Sequence, residues 1–353
     1  MALYGAMSAV GIIAGVLLGG FLTAMLGWRS VFFINVPIGL AVFAGTRSLN
    51  EAKKNPGRVN MIDAITGTGA MISLAYAITN VAEHGWNDIV TIGLFILGAV
   101  LAGIFITLQA RRTNPMLPLD LFADRNRTGS YMTMLFFGAG MMGTFYLIAL
   151  YFQQVLHYSP LETGLKSLPF GAGIIVAAGI ASKLVERVSP RLIAGPGLLL
   201  SAIGMFWLSG ISTSTQYFFH IMPAVFMIAA GLGFAAVPMT LTAVHKVGNE
   251  RAGVASSLVN MAQQIGAGLG LAIFTTIAMT SATAKFPEAM SKVTKSLSHG
   301  HATGLDSDTA RALTHGYSTA FEYGSFVLVL IAILVVFAVN TKDTQQSVST
   351  TNK

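Results

Sequence analysis

The amino-acid sequence predicts an all-α polytopic membrane protein. Of its 353 residues, 54% are hydrophobic and only 10% are charged, whereas an ordinary soluble protein is about 25% charged. Apolar stretches of the length that crosses a bilayer as a helix recur along the chain, and the short segments between them hold nearly all the charges. We predict helices rather than a barrel, because the stretches are continuous and helices satisfy every backbone hydrogen bond internally in lipid.

Ten apolar stretches are long enough to cross a bilayer. They lie at residues 2–26, 30–47, 61–82, 89–110, 128–154, 160–183, 191–211, 217–244, 252–280 and 318–340. The longest polar segment between them, residues 281–317, is expected to be a flexible outer loop. We expect the first stretch to remain in the protein, because residues 1–10 carry no positive charge and the apolar run is too long for a signal peptide.

The basic residues predict how the chain is oriented in the membrane. Of the 21 lysines and arginines, 15 lie in one set of alternate loops and six in the other. Short cytoplasmic loops carry an excess of Lys and Arg, so both the first residue and the C-terminal tail are predicted to be cytoplasmic. Topology and contact with anionic lipid account for the pI of about 9.7, and no nucleic-acid partner is expected.

Missing sequence features argue against several function classes. The chain has no cysteine, which excludes thiolate chemistry and cysteine-bound metals. It contains no G-x-x-x-x-G-K-[ST] phosphate-binding loop. Ser, His and Asp form no recognisable nucleophile motif, and the histidines lie in loops or at helix ends. We therefore predict a protein that is not an enzyme and that has no metal site.

Glycines recur with a helical spacing in the first stretch, GIIAGVLLGG. Gly11, Gly15 and Gly19 are four residues apart, and Gly20 widens the same face. Helices in lipid associate through close backbone packing at small residues, so this face predicts a packing seam. The spacing alone does not say which helix packs there.

The residues around this seam add a family resemblance. GIIAGVLLGG resembles the antiporter signature G-x-x-x-G-P-x-x-G-G of the major facilitator superfamily, with Val16 in place of the proline. GWRSVFFINVPIG, with Trp28, Arg29, Asn35 and Pro37, is similar to the segment that follows this signature in fourteen-helix drug:proton antiporters of the EmrB/QacA type. The likeness continues to about residue 280 through MIDAITGTG, EHGW, YFQQVLHYSPLETGLKSLP and SSLVNMAQQIGAGLGLA.

The resemblance implies an order for the helices. In that family the fifth helix starts in the cytoplasm, as the first helix does here, so the ten helices are expected to be numbers five to fourteen, with the first four absent. The implied regions are the last two helices of the N-terminal bundle (1–47), a cytoplasmic loop (48–60), two linker helices (61–110), a second cytoplasmic loop (111–127), the six-helix C-terminal bundle (128–340) and a cytoplasmic tail (341–353).

The resemblance also implies an activity. Transporters of this type export lipophilic and often cationic drugs or other small molecules across the inner (plasma) membrane, by alternating access between two bundles. A proton gradient supplies the energy, and no cofactor is needed. The expected partners are a small-molecule substrate and the bilayer. A second possibility stays open, namely that the chain is a truncated, non-transporting remnant or an assembly partner of such a transporter.

Polar side chains within the apolar stretches are candidates for substrate contact, because such groups usually face a partner or a water-filled cavity. Asn260, Gln263 and Gln264 form one patch, in which Gln263 stands where the family commonly has arginine. Both substrate contact and hydrogen bonding to another helix fit this patch.

Aromatic and amide groups mark the outer mouth of the C-terminal bundle. Tyr146, Tyr151 and Gln154 precede the segment HYSPLETG. They suit apolar cations, and they equally suit an interfacial aromatic belt. Among the acids, only Glu322 lies about one turn inside a stretch, where it is a candidate proton site or a carboxylate at headgroup level. The resemblance implies that the coupling aspartate lies in helix one.

A short charged segment, SKLVERVSPRLIAGPG, is a candidate gate. Glu186, Arg187 and Arg191 lie between two helices on the predicted cytoplasmic side. Opposite charges there can hold helix ends together in one state and release them in another, although exposed pairs contribute little singly. A plain positive-inside loop fits the same residues.

Overall fold

The computed structural model describes residues 11, 14, 15, 18–46, 60–112, 115–291 and 306–338. In these ranges the chain forms helices joined by turns, and no β-strand occurs among them. Eight of the described helical segments are long and apolar enough to cross a membrane. The predicted all-α polytopic fold is therefore confirmed.

We number the helices in chain order. They are α1 (18–26), α2 (Ser30–Gly45), α3 (Met61–His84), α4 (Ile89–Arg111), α5 (Arg125–Leu150, continued by a π-helical turn at Tyr151–Val155), α6 (Pro160–Lys166), α7 (Leu168–Leu184), α8 (Pro190–Leu208), α9 (Met222–Val244, preceded by a π-helical turn at Tyr217–Ile221), α10 (Asn249–Lys285) and α11 (Ser307–Ala338). The last eight predicted stretches correspond to the eight spans. The second stretch is the shorter apolar helix α2, and the first lies partly outside the described residues.

Helices α5 to α11 form one bundle around a continuous apolar core. α5 packs along α10, α9 packs against both α7 and α8, and α11 packs against α8 and α10. The largest fully buried side chains in this core are Tyr151, Tyr317, Phe152, Phe321, Met134 and Leu147. Their burial supplies van der Waals contact, which holds helices together in lipid where the hydrophobic effect between helices is weak.

Two glycines set how closely α10 approaches α5. A Cβ added to Gly266 or to Gly270 would overlap the α5 backbone, at Leu135 and at Ala139 respectively. The two backbones therefore touch, which requires residues without side chains at these positions. This contact fixes the rotation of α10 about its axis and so decides which of its side chains face α5.

The loop between α10 and α11 is shorter than the sequence predicts. A loop over residues 281–317 is expected, but α10 continues to Lys285 and α11 begins at Ser307. Both helices extend beyond their apolar stretches because they pack on each other there: Gly316 lies against the backbone of Ala278, and Ala282 is fully buried. Tertiary contact thus stabilises helical turns whose composition is polar.

Helices α3 and α4 form a hairpin that docks on α10. Ile78 and Val81 of α3 pack against Ala272. At the hairpin turn, the Trp86 Nε1–H donates a hydrogen bond of 3.2 Å to Thr276 Oγ1. The Trp86 ring also stacks on Phe95 of α4, with centroids 6.1 Å apart. The hairpin is therefore attached to the side of the bundle formed by α10.

A buried ion pair joins the other end of this hairpin. Asp63, in the first turn of α3, is 1% exposed and accepts a hydrogen bond of 3.1 Å from an Nη of Arg112. The Arg112 Nε lies 3.0 Å from the other carboxylate oxygen. Such a two-point contact between guanidinium and carboxylate fixes the geometry of both side chains.

Asp88 lies directly before α4, at the hairpin turn. Its Oδ2 accepts a hydrogen bond from the backbone N–H of Thr91 and another from the side-chain amide of Asn80, both at 3.0 Å. These donors stabilise the carboxylate, chiefly the Thr91 N–H, so the pKa of Asp88 lies below its ordinary value. The carboxylate is a helix N-cap that also holds α3 to α4.

The loops rich in basic residues meet at one end of the bundle, which we call the basic end. An Nη of Arg127, at the start of α5, donates a hydrogen bond of 3.3 Å to the carbonyl of His245, after α9. Arg251, in α10, pairs with Asp120 at 2.7 Å. The α3–α4 turn, the α5–α6 turn and the α8–α9 turn lie at the opposite end.

Candidate functional site

The glycine face of α1 makes one close approach to the bundle. A Cβ added to Gly20 would lie 3.0 Å from the carbonyl oxygen of Pro160, at the start of α6. No described atom lies within 4 Å of a Cβ added to the other glycines of the stripe, Gly11, Gly15 and Gly19. Within the described ranges, α1 therefore contacts the C-terminal bundle through Gly20. Val16, which replaces the signature proline, lies outside these ranges.

The signature residues after the stripe shape the turn between α1 and α2. The Arg29 guanidinium carbon lies 5.1 Å from the centre of the Trp28 ring. The Asn35 amide donates to a backbone carbonyl one turn earlier, at 3.4 Å. Pro37 explains why α2 is interrupted at Ile34, because proline lacks the N–H that a continuous helix needs and its ring collides with the carbonyl four residues before it. These residues act within their own turn.

An open polar face runs along the middle of α10. It consists of Ser256, Ser257, Asn260 and Gln264, which are all exposed. Asn260 and Gln264 are one helical turn apart, so their amides lie side by side. The Asn260 amide donates to the Ser256 carbonyl at 3.3 Å. In the part of the chain that the structure describes, neither amide hydrogen-bonds to another helix.

Gln263 does not belong to this face. It is half-buried, and its backbone carbonyl lies against Gly138 of α5. The glycine contacts between α10 and α5 turn position 263 toward the bundle and leave position 264 open. The structure therefore divides the predicted patch, and only Asn260 and Gln264 remain available to a ligand.

The predicted outer mouth is also divided. Tyr151 is 1% exposed, and its hydroxyl donates to the carbonyl of Ser212 at 2.6 Å. The Gln154 side-chain oxygen accepts a 2.7 Å hydrogen bond from the hydroxyl of Tyr317. These two residues connect the end of α5 to its neighbours, as buried tyrosines require a partner for the hydroxyl. Tyr146 alone of the three predicted residues is exposed.

The sequence matches a known family over most of its length. Residues 1–271 match the family described as Major Facilitator Superfamily. The chain belongs to this superfamily. It is a multi-pass membrane protein.

Several curated superfamily relatives are similar to this chain. The puromycin resistance protein pur8 of Streptomyces alboniger is 34% identical over 337 residues, which are 94% of this chain and 64% of that protein. The cephamycin export protein CmcT of Amycolatopsis lactamdurans is 32% identical over 279 residues, 77% of this chain and 57% of that protein. The tetracenomycin C resistance and export protein of Streptomyces glaucescens is 31% identical over 284 residues, 78% and 52% respectively. The chain spans about half to two thirds of the length of these relatives.

The predicted gate residues lie at the turn between α7 and α8. Glu186 and Arg187 are exposed in the turn after α7, and Arg191 is half-buried in the first turn of α8. No ion pair joins the three, all of which the structure describes. Their arrangement is that of a solvated basic loop.

Other arginines connect the helices at the basic end, and sequence reasoning assigned them only to topology. Arg127 is 9% exposed and donates to two carbonyls, those of Leu121 at 3.4 Å and His245 at 3.3 Å. An Nη of Arg125 donates to the carbonyl of Phe337 at 3.1 Å. These cations lie at the C-terminal ends of α9 and α11, where carbonyls without helical partners attract positive charge. The run DLFADRNR, with acids directly before a helix-starting pair of arginines, is the signal that could have indicated them.

Glu322 lies deeper in its helix than the sequence predicts. Because α11 begins at Ser307, Glu322 is about four turns from its start rather than one. It is exposed, next to exposed Tyr323 and close to Phe326 on the same side of α11. The described residues contain no group of three His, Asp or Glu side chains that could hold a metal ion.

Proposed function

We propose that this chain is part of a drug:proton antiporter of the fourteen-helix type and that its helices correspond to numbers five to fourteen. Its substrates are lipophilic and often cationic small molecules, exported by alternating access with the proton gradient as the energy source. The names of three relatives, which concern resistance to or export of antibiotics, support this proposal. The signature residues of α1 and α2 support the antiporter type.

The observation that carries the substrate role is the polar face of α10. Amide side chains at membrane depth lose the hydrogen bonds of water, so amides that bond to no other helix suit a position where water or a substrate supplies the missing partners. Asn260 and Gln264 have no partner on another described helix. Amides carry dipoles without a net charge and so accept cations without binding them tightly, which suits a substrate that must be released. We therefore assign substrate contact to these two residues.

The same face contains no Asp or Glu among the described residues. It can orient a substrate but cannot carry a coupling proton, so the two tasks are separate in this chain. We propose that the basic end faces the cytoplasm, together with the C-terminal tail, because it holds most of the basic residues. The polar face then lies beside the path between the two sides of the inner membrane.

An efflux assay tests this function. The reading frame that contains the chain, and the 353-residue chain alone, are expressed separately in a drug-sensitive bacterium with its own efflux pumps deleted. We expect efflux of a lipophilic cationic dye, abolished by a protonophore, in at least the first arm. Efflux that a protonophore leaves unchanged would contradict proton coupling. Efflux only from the longer frame would identify the isolated chain as non-transporting by itself.

Variants of the polar face test the substrate role. The double variant Asn260→Leu/Gln264→Leu keeps the side-chain volume and removes both amides, and we expect at least one tested cation to lose most of its efflux. Met261→Leu, at an exposed position on the same helix, changes no polarity and is the matched control. If the double variant exports every dye as the parent does, Asn260 and Gln264 do not contact substrate.

A further inference from the structure

An open groove lies between α7 and α9 at the end of the bundle opposite the basic end. Its volume is about 760 Å³, within the range of small-molecule sites. The walls are apolar and include Leu165, Leu168, Ala172, Met222 and Phe226. Leu165 and Phe226 are 49% and 38% exposed. In a membrane-spanning segment such exposed apolar walls face hydrocarbon, so the groove suits a hydrocarbon chain.

A lysine lies at the rim of this groove among aromatic rings. The Lys166 Nζ is 4.3 Å from the centre of the Tyr217 ring and 4.6 Å from that of Tyr158. Phe218 contributes a third ring, at 6.0 Å. Rings attract the ammonium charge through their faces but accept no ordinary hydrogen bond from its three N–H groups.

The polar groups nearest to Lys166 are engaged elsewhere. The Glu162 side chain also lines the groove, but its Oε2 accepts a 2.9 Å hydrogen bond from the backbone N–H of Ser159 in the capping box of α6. The Tyr217 hydroxyl donates to the Lys166 carbonyl at 2.8 Å. No carboxylate in the described ranges pairs with the Lys166 ammonium. The ammonium is thus held in place and open to the surface; the Glu162 carboxylate, one turn earlier, interacts with its charge but forms no ion pair with it.

The position along the membrane matches that of a lipid headgroup. Lys166 ends α6, only six residues after the first residue of that helix, Pro160, at the surface-exposed end. Tyrosine and lysine together at a helix end are typical of the membrane interface. From Lys166 the groove continues toward Ala172, six residues or about 9 Å deeper along the helix axis. A cation at the interface and an apolar channel below it have the polarity of a phospholipid.

We propose that this groove binds one anionic phospholipid, with an acyl chain between α7 and α9 and with the phosphate accepting hydrogen bonds from Lys166. The three rings hold the ammonium at the rim so that it does not reach into solvent. A zwitterionic lipid presents the same phosphate but also a cationic group that the Lys166 ammonium repels, so the site favours headgroups with a net negative charge. The proposal does not depend on the transported substrate.

Lipid binding to the purified 353-residue chain tests the proposal. The chain is delipidated in detergent, and native mass spectrometry measures retention of dioleoyl phosphatidylglycerol, dioleoyl phosphatidylcholine and glycerol phosphate. We expect phosphatidylglycerol to bind more tightly than phosphatidylcholine, and glycerol phosphate, which lacks the chains, not to bind. Lys166→Gln should weaken phosphatidylglycerol binding about fivefold and remove the preference. Ala172→Trp, which fills the groove, should reduce binding of both lipids.

The matched control is Lys285→Gln. Lys285 is an exposed lysine at the same end of the bundle and outside the groove, and its replacement should leave lipid binding unchanged. Equal losses in Lys166→Gln and Lys285→Gln would overturn the proposal, because binding would then follow net charge. The proposal would also be overturned if the lipophilic cation tetraphenylphosphonium bound to the rings while Lys166→Gln left phosphatidylglycerol binding unchanged. Should Ala172→Trp fail to fold, the comparison of the two lysine variants still decides.

Discussion

The buried ion pair between Asp63 and Arg112 is expected to respond unequally to loss of its two partners. Asp63 is 1% exposed, whereas the Arg112 side chain is 33% exposed. Arg112→Leu leaves a carboxylate buried between α3 and α4 without a counter-charge, while Asp63→Asn leaves an arginine that can turn toward water. The first variant should therefore be the more damaging, although both remove the same pair.

The magnitude follows from the geometry. Arg112 makes two charge-assisted contacts, at 3.0 and 3.1 Å, and removing one partner of a buried pair costs about 3 kcal/mol or more. Asp63→Asn keeps an oxygen that accepts from the guanidinium and should cost about 1 kcal/mol. Combining the two changes removes the isolated charge, so the double variant should be more stable than Arg112→Leu alone.

Intrinsic fluorescence in detergent measures these differences. The chain has three tryptophans, and Trp86 lies in the hairpin turn, stacked on Phe95 and hydrogen-bonded to α10. Its emission therefore reports undocking of the hairpin during thermal or denaturant unfolding. Arg111→Leu is the matched control, because Arg111 is exposed and ends the same helix. Equal destabilisation by Arg111→Leu and Arg112→Leu, or a larger loss in Asp63→Asn than in Arg112→Leu, would refute the reasoning.

Three further outcomes are expected. Gly266→Val should abolish the monodisperse peak in fluorescence-detected size exclusion because its side chain would overlap Leu135, whereas Gly253→Val, at a position with nothing within 4 Å, should keep that peak. Asp88→Ala should lower the melting temperature at pH 7. Because the pKa of Asp88 is lowered in the fold, the stabilisation by its carboxylate is complete above the unfolded pKa of about 4 and is lost as pH falls through the folded value. The melting temperatures of parent and variant should therefore converge in acid. Tyr151→Phe should reduce stability by about 1 kcal/mol and leave dye efflux unchanged, since the hydroxyl bonds within the bundle; altered dye selectivity would argue against that purely internal role.

Local composition was sufficient to place most of the helices. Each span requires a run of apolar residues of bilayer length, and this property is read along the chain without knowledge of its neighbours. The predicted ends fail where helices continue through polar residues, as α10 does to Lys285. There the turns are stabilised by contact with α11, which lies more than 20 residues further along the chain.

The candidate site was predictable in type and not in arrangement. The amides of α10 are evident from the sequence. Gln263 and Gln264 are adjacent, but Gln263 is half-buried and Gln264 is exposed, because Gly266 and Gly270 set the rotation of the helix against α5. The sequence predicts Tyr151 at the outer mouth, whereas in the structure its hydroxyl bonds inside the bundle.

By itself the sequence determined that this chain is a helical membrane protein and that it resembles drug:proton antiporters, because hydropathy and signature residues are local properties. Only the tertiary structure decided which charges are paired and which remain open. Asp63 pairs with Arg112, which is 49 residues away in the sequence. Lys166 is surrounded by rings and forms no ion pair with a carboxylate in the described ranges. Pairing depends on the distance between atoms of different helices, and that distance exists only once the helices have packed.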